Sequence, residues 1–127
     1  MKALLQRVRN ASVEVDGAVV SSIGTGMLVF LGIGKGDSEE AGRKLAEKIV
    51  ELRIFPDEKH SMNRSLKDIG GELLLVSQFT LQADCRRGRR PSFVDAEDPA
   101  RAEELYKAFG ENLRSSGIEV GEGVFGA

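Results

Sequence analysis

The sequence has little of what metal and disulfide chemistry requires. Of its 127 residues one is cysteine, one is histidine and none is tryptophan. Cys85 has no partner for a disulfide within the chain, and Cys85 with His60 cannot supply the several thiolate and imidazole ligands of a structural zinc site. Catalysis by a histidine-activated nucleophile also has little material, because no histidine lies near Cys85 in sequence. We therefore expect neither a metal nor another cofactor.

Long apolar runs and an excess of one charge are also lacking. The longest apolar run, Met27 to Ile33, is far shorter than the roughly 20 residues that cross a membrane. The first residues do not resemble a secretory signal. The formal net charge is −2, so a nucleic-acid partner would have to be held by a local basic patch. These features predict a cytoplasmic, single-domain protein over residues 1–127 with no membrane partner.

The hydrophobic pattern predicts strands in the first half of the chain. Ser12–Val15 and Ala18–Val20 flank Asp16-Gly17, a dipeptide typical of two-residue β-hairpin turns. A further turn is predicted at Gly24–Gly26. The continuously apolar run Met27–Ile33 then predicts a strand that is buried on both faces.

Two main helices are predicted between groups of strands. The first has Asp37 as its N-cap, with Glu40 three residues later as in a capping box. The second begins with Asp98 as N-cap and Pro99 in the first turn, and Gly117 is placed to end it. Another buried strand is predicted over 72–81 and a loop over 82–97. The pattern as a whole indicates an α+β fold.

Polar side chains interrupt the end of the second apolar strand, at Ser77, Gln78 and Thr80. A buried strand tolerates such groups where they find hydrogen-bond partners or face a ligand. A strand that emerges into solvent would produce the same alternation. The pattern alone therefore leaves a ligand site and a plain strand end both open.

A cluster of four arginines follows this strand, at Arg86, Arg87, Arg89 and Arg90. Guanidinium groups pair with phosphates through two parallel hydrogen bonds, so the cluster is a candidate polyanion site. The alternative is a solvated surface loop. Arg7, inside the first strand, is either an outward edge charge or an inward arginine that supports a site.

These segments, taken in order, resemble the D-aminoacyl-tRNA deacylase family, formerly called D-tyrosyl-tRNA deacylases. The central match is the Ser-Gln-Phe-Thr-Leu motif at residues 77–81. Similar segments lie in register along the whole chain: Leu5-Gln6-Arg7-Val8, Ala11-Ser12-Val13, Ile23-Gly24-Thr25-Gly26, Arg53-Ile54-Phe55, Met62-Asn63, Gly70-Gly71, Arg89-Arg90-Pro91-Ser92-Phe93 and Pro99-Ala100-Arg101-Ala102-Glu103.

The resemblance implies a β-barrel-like arrangement of antiparallel and mixed sheets and a homodimer. It implies hydrolysis of the ester bond in D-aminoacyl-tRNA such as D-Tyr-tRNA, as proofreading in translation, and leaves open whether glycyl-tRNA is also cleaved. Backbone N–H groups around Phe79 and Thr80 would polarise the ester carbonyl. Ser77 and Gln78 would orient the amino acid and the terminal adenosine. Thr80 is the obvious side-chain nucleophile, but no general base is visible beside it.

The resemblance also supplies candidate contacts to the substrate and to the acceptor stem of tRNA. Arg7 would steady a Gly-Pro loop of the partner subunit. The full set of binding candidates is Arg7, Met62, Arg86, Arg87, Arg89, Arg90, Pro91, Ser92, Phe93 and Phe125.

One departure from the family pattern concerns its Asn-x-Gly-Pro motif. The Gly–cis-Pro bond of that motif enters the partner's active site and rejects L-amino acids. In this sequence no proline follows a glycine. We expect the natural protein to extend beyond Ala127 with a strand that carries Gly-Pro. The alternative is a protein that lacks this chiral filter. For the function, the alternatives are a truncated form with impaired catalysis, an RNA-binding module without catalysis and a homodimeric structural domain with no ligand.

Overall fold

The strands and helices are given by a computed structural model that describes residues 1–127. A 3₁₀ turn over Phe79–Gln82 follows the fifth strand. The three helices are α1 (Glu39–Glu51), α2 (Leu66–Ile69) and α3 (Pro99–Ser115). The six strands are β1 (Lys2–Val8), β2 (Ala11–Val15), β3 (Ala18–Ile23), β4 (Gly26–Gly32), β5 (Glu72–Ser77) and β6 (Glu119–Glu122). None of the helices has the length and apolar character needed to cross a membrane.

The strands form a four-stranded sheet in the order β1-β4-β5-β6 and a separate β2–β3 hairpin. β1 is antiparallel to β4, whereas β4, β5 and β6 run parallel to one another. The predicted α+β fold with mixed sheets and two main helices is confirmed. The two sheets do not close into a barrel.

One face of the four-stranded sheet is covered by α1 and α3. Alternate side chains of the two central strands point to this face, and Met27, Val29, Leu31 and Leu75 are fully buried there. Burial of each such side chain contributes roughly 1.5–3 kcal/mol to the free energy of unfolding, because it removes apolar surface from water. Because β4 and β5 are the central strands, this core fixes the position of the carboxyl end of β5.

The β2–β3 hairpin turns at Asp16-Gly17, as predicted. Both residues have positive φ, 51° at Asp16 and 80° at Gly17. That combination is the one required by a type I′ turn, whose twist matches the flanking strands. The hairpin packs on β5 and β6, so the outer face of β1 and β4 stays open.

The start of α1 differs from the prediction by one residue. Ser38 is the N-cap, and its Oγ accepts the N–H of Ala41 at 3.1 Å. The carboxylate of Asp37 is engaged elsewhere: it lies 2.6 Å from the buried ammonium of Met1 and accepts the Gly34 N–H. A buried cation needs a counter-charge more than a helix end needs one particular cap, and Ser38 caps equally well.

The end of β5 is the second difference from the prediction. The strand stops at Ser77, and residues up to Gln82 form the 3₁₀ turn where the apolar pattern predicts strand. The short helix α2 also escaped the sequence pattern, since four residues contain too little periodicity to detect. The predicted loop is confirmed over 83–97, since Gln82 belongs to the 3₁₀ turn, and the start of the second helix at Asp98 and Pro99 is confirmed.

Candidate active site

The candidate site lies where β5 gives way to the 3₁₀ turn. The N–H of Gln78 donates to the Leu31 carbonyl at 2.8 Å, so the pairing of β5 with β4 extends one residue beyond the strand. The backbone then turns sharply, and the Leu81 N–H donates back to the Gln78 carbonyl at 3.3 Å. The core strand β4 therefore anchors the base of the turn.

Two backbone N–H groups at the start of this turn have no partner. The first N–H groups of any helical turn lack a preceding carbonyl to bond. Here the N–H groups of Phe79 and Thr80 donate to no other group of the protein. Both residues are exposed, Phe79 by 58%. Two neighbouring donors are thus available to an oxygen atom of a bound molecule.

The hydroxyl of Thr80 is oriented but not activated. The side-chain amide nitrogen of Gln78 donates to Thr80 Oγ1. An amide N–H₂ group is a donor and cannot take the proton of the hydroxyl. No histidine or carboxylate hydrogen-bonds Thr80. The geometry therefore favours an orienting role for this hydroxyl over nucleophilic attack.

A cleft of about 370 Å³ opens beside the turn, between the end of β5 and the start of α3. Ser77, Gln78 and Phe79 line the cleft, together with Phe125 from near the end of the chain. The Ser77 side chain is half-buried. Glu97 is the only charged residue among those that line the cleft. The cleft is apolar with a few polar groups, the usual character of a small-molecule site.

The predicted Pro91-Ser92-Phe93 segment meets the turn through an aromatic contact. The rings of Phe79 and Phe93 lie edge to face, with centroids 5.3 Å apart and planes at 67°. Phe93 is still 39% exposed, so both rings present surface to solvent. This contact places the loop after the turn next to the two free N–H groups.

The four arginines lie on a closed loop, here called the arginine hairpin (residues 84–92). Asp84 and Ser92 close it by exchanging two backbone hydrogen bonds of 2.7 and 2.9 Å. Arg86 folds back and binds both carboxylate oxygens of Asp84 at 2.9 Å, which lowers the pKa of Asp84 to about 2. The other three arginines are exposed and form no ion pair: Arg87, Arg89 and Arg90.

Comparison with known proteins places this geometry in a family. Residues 4–127 match the family model described as D-Tyr-tRNA(Tyr) deacylase. The chain belongs to the D-aminoacyl-tRNA deacylase family. It is 57% identical to the D-aminoacyl-tRNA deacylase of Thermodesulfovibrio yellowstonii over 125 residues, covering 98% of this chain and 86% of that protein. It is 54% identical to that of Aquifex aeolicus over 127 residues, with 100% and 86% covered.

Two solved structures share the fold. One, described as c-Myc DNA Unwinding Element Binding Protein, is 40% identical with a TM-score of 0.92, covering 100% of this chain and 87% of the other. The second, a probable eukaryotic D-amino acid tRNA deacylase, has a TM-score of 0.82 and covers 98% of this chain and 88% of the other. At 19% identity the second supports the deacylase fold alone.

Two binding candidates from the sequence lie apart from the turn within one chain of the deacylase fold. Arg7 Nη1 donates to the carbonyls of Ile54 and Ser61, at 2.8 and 3.4 Å, next to the 61%-exposed Met62. Arg7 is in register with Met27, whereas Ser77 is in register with Leu31. Arg7 and Ser77 are therefore separated by about 13 Å along the strands and about 10 Å across them.

The structure adds three residues near the turn that sequence reasoning missed. Lys2 Nζ donates to the Leu81 carbonyl at 3.2 Å, and Gln82 is a buried polar side chain beneath the turn. Glu97 lines the cleft, as described above. Of these three residues, only Gln82 could have been found from the sequence, because it is a polar residue at the end of an apolar run. No group of three or more His, Cys, Asp or Glu side chains is arranged to hold a metal ion.

Proposed function

We propose that this chain hydrolyses the ester bond of D-aminoacyl-tRNA and releases a free D-amino acid and tRNA. The observation that carries the proposal is the pair of free N–H groups of Phe79, which lines the cleft, and its neighbour Thr80. An ester carbonyl that accepts both bonds becomes more electrophilic, and its oxygen becomes an oxyanion when attacked. Membership of the deacylase family gives the substrate class.

The chemistry needs positioning more than a strong nucleophile, because an aminoacyl ester is intrinsically labile. A water oxygen attacks the carbonyl carbon, and the resulting oxyanion is bound by the Phe79 and Thr80 N–H groups. The ester C–O bond then breaks, and the water proton passes to the leaving ribose oxygen, with the adjacent ribose hydroxyl as the relay. No side chain of the protein has to form a covalent intermediate.

The polar residues at the end of β5 would orient the substrate. Ser77 and Gln78 line the cleft, where they would contact the amino acid and the terminal adenosine of a bound substrate. Phe125 lines the same cleft and packs near Tyr106, with ring centroids 5.7 Å apart. These contacts support a site that holds one aminoacyl-adenosine end of tRNA.

The decisive assay compares D-Tyr-tRNA, L-Tyr-tRNA and Gly-tRNA as substrates. We expect hydrolysis of the D ester. The L ester shows whether residues 1–127, in which no proline follows a glycine, still discriminate between D and L substrates, and the glycyl ester shows whether an achiral substrate is also cleaved. Tight binding of all three without turnover would contradict the enzyme and leave a nucleic-acid-binding module. If the protein neither bound nor hydrolysed any of the three substrates, the enzyme and the nucleic-acid-binding module would both be contradicted.

We also propose that the protein is a cytoplasmic homodimer of a single domain, residues 1–127. The support for a dimer is the open outer face of β1 and β4, where Leu4 is 56% exposed opposite the half-buried Phe30. An apolar patch of this kind is typical of an interface. In a dimer, Arg7 and Met62 would contact the active site of the other subunit. Sedimentation at micromolar concentration tests this, and a monomer with full activity would contradict it.

The arginine hairpin is proposed to contact acceptor-stem phosphates through its three unpaired arginines. Replacing Arg87, Arg89 and Arg90 together with alanine should weaken tRNA binding. It should also reduce the magnitude of the negative slope of log K against log salt by about 2 to 3, since each lost phosphate contact removes roughly 0.7–0.9. The measurement is tRNA affinity by filter binding between low and moderate salt.

Arg86→Ala is the matched control for this triple substitution. Arg86 lies on the same hairpin but is already neutralised by Asp84, whose pKa of about 2 keeps it ionised at any pH of the assay. The slope should therefore change less for Arg86→Ala than for any one of the other three. Equal slopes for all four single variants, or an unchanged slope for the triple variant, would contradict the assignment.

Nucleic-acid binding without catalysis is the second candidate function. The arginine hairpin favours it, because three unpaired guanidinium groups on one exposed loop suit a phosphate backbone of any kind. One structural relative is itself described as a protein that binds a DNA unwinding element. Competition between tRNA and DNA of equal length in the same salt titration separates a tRNA enzyme from a general polyanion binder.

A further inference from the structure

Gln82 is one of only two buried polar residues in the chain, the other being Ser65. Gln82 is 8% exposed and ends the 3₁₀ turn, whereas Ser65 caps α2. We propose that Gln82 is a positioning residue that holds the turn so that the Phe79 and Thr80 N–H groups face the ester. This inference rests on the deacylase function proposed above.

The turn needs support from outside because it is short. A 3₁₀ helix of four residues has poor hydrogen-bond geometry and little stability of its own. Its free N–H groups bind an oxyanion well only if they are already fixed in direction before the reaction. Whatever anchors the turn to the rigid sheet therefore affects catalysis without touching the substrate.

The anchor joins the turn to the end of β4. The side-chain nitrogen Nε2 of Gln82 donates to the Gly32 carbonyl at 3.0 Å, and this bond is buried. A second hydrogen bond comes from β1, where Lys2 Nζ donates to the Leu81 carbonyl at 3.2 Å. This lysine hydrogen bond is exposed and is therefore weaker than the Gln82–Gly32 bond, because water competes for both groups.

Gly32 allows this close approach. A Cβ atom at Gly32 would lie 2.9 Å from Leu81 Cβ and 3.0 Å from the Gln78 carbonyl oxygen. Both distances are shorter than normal van der Waals contacts, so a side chain there would push the turn off the sheet. The turn is thus packed directly on the β4 backbone, and Gln82 fixes it in that place.

Two substitutions of Gln82 test the inference. Gln82→Met keeps the length and volume of the side chain but removes the donor. We expect its kcat for D-Tyr-tRNA to fall about tenfold with KM changed less than about twofold, since displacement of a catalytic group by 1 Å costs up to about 100-fold. The amide NMR signals of Phe79 and Thr80 should shift in the same variant.

Gln82→Glu gives a readout that a merely structural role would not produce. An ionised carboxylate repels the Gly32 carbonyl, whereas a protonated carboxyl can donate to it as Gln82 does. Burial raises the pKa of the introduced carboxyl. The kcat of Gln82→Glu relative to wild type should therefore rise as the pH falls through that pKa, while the same ratio for Gln82→Met stays constant.

Ser65→Ala is the control for loss of stability, because it removes the capping box of α2 and lies outside the site. Matched stability losses in Ser65→Ala and Gln82→Met, with kcat reduced only in the latter, would support the inference. An active wild type with unchanged kcat in Gln82→Met and no pH-dependent ratio in Gln82→Glu would overturn it. An inactive wild type would instead overturn the proposed function.

Discussion

Phe79→Pro is expected to lower kcat for D-Tyr-tRNA by roughly 100- to 1000-fold relative to Phe79→Ala, the loss that follows removal of one oxyanion donor. Both variants lack the aromatic ring that contacts Phe93. They differ in the backbone N–H, which alanine keeps and proline does not have. The ratio of the two kcat values therefore isolates the contribution of that single N–H group.

The local backbone makes proline acceptable at this position. Phe79 is the first residue of the turn, and its N–H is not hydrogen-bonded. Proline is tolerated at the first position of a helical turn for that reason. The preceding residue, Gln78, has φ of −145° and ψ of 88°, outside the helical region that a following proline disfavours. Circular dichroism of the two variants should accordingly agree.

Thr80→Ala completes this set of variants. It removes the hydroxyl that Gln78 holds but keeps both N–H groups. We expect substantial activity to remain, because no base is bonded to the hydroxyl. If Thr80→Ala abolished turnover in a folded protein that still bound tRNA, or if Phe79→Pro matched Phe79→Ala, oxyanion binding by the backbone would be the wrong mechanism.

The residues that carry strong local signals were predictable from the sequence. Asp16-Gly17 favours one turn type almost regardless of context, and Pro99 fits the start of a helix for the same kind of local reason. The motif at Ser77 to Thr80 was located by its polarity and by the resemblance. Its geometry was not, because the 3₁₀ turn depends on contacts with β4 that are far away in sequence.

Three assignments could not be made without the structure. Asp37 and Ser38 are both good caps, and the buried ammonium of Met1 decides between them. Arg86 is indistinguishable in sequence from the other arginines of the hairpin until Asp84 binds it. Arg7 could have faced the Ser77 motif, but the strand register places it at the far end of the sheet. The first and third cases depend on groups that are far away in sequence, whereas the second depends on Arg86 folding back onto Asp84, two residues away.

The register of β4 and β5 is the feature on which the whole site depends. Leu31 lies opposite Ser77, and its carbonyl accepts the Gln78 N–H at the start of the turn. The same register continues to the other end of the two strands, where Gly26 lies opposite Glu72 and a Cβ atom on Gly26 would overlap the Glu72 backbone. A change at that end should therefore disturb the site as well as the stability of the fold.

Gly26→Ala is expected to destabilise the protein by about 3 kcal/mol, the upper end of the usual cost of overpacking. A methyl group on Gly26 would overlap the backbone of Glu72, and backbone cannot move aside as a flexible side chain can. Gly24→Ala is the matched control two residues away. A Cβ there would meet only the Glu72 carboxylate at 3.5 Å, an ordinary contact, so its effect should stay below about 1 kcal/mol. Urea denaturation of both variants measures the difference. Equal stabilities would show that β4 and β5 can slide apart without cost. A destabilised Gly26→Ala variant that kept full kcat at low temperature would show that the turn holds its geometry without this register.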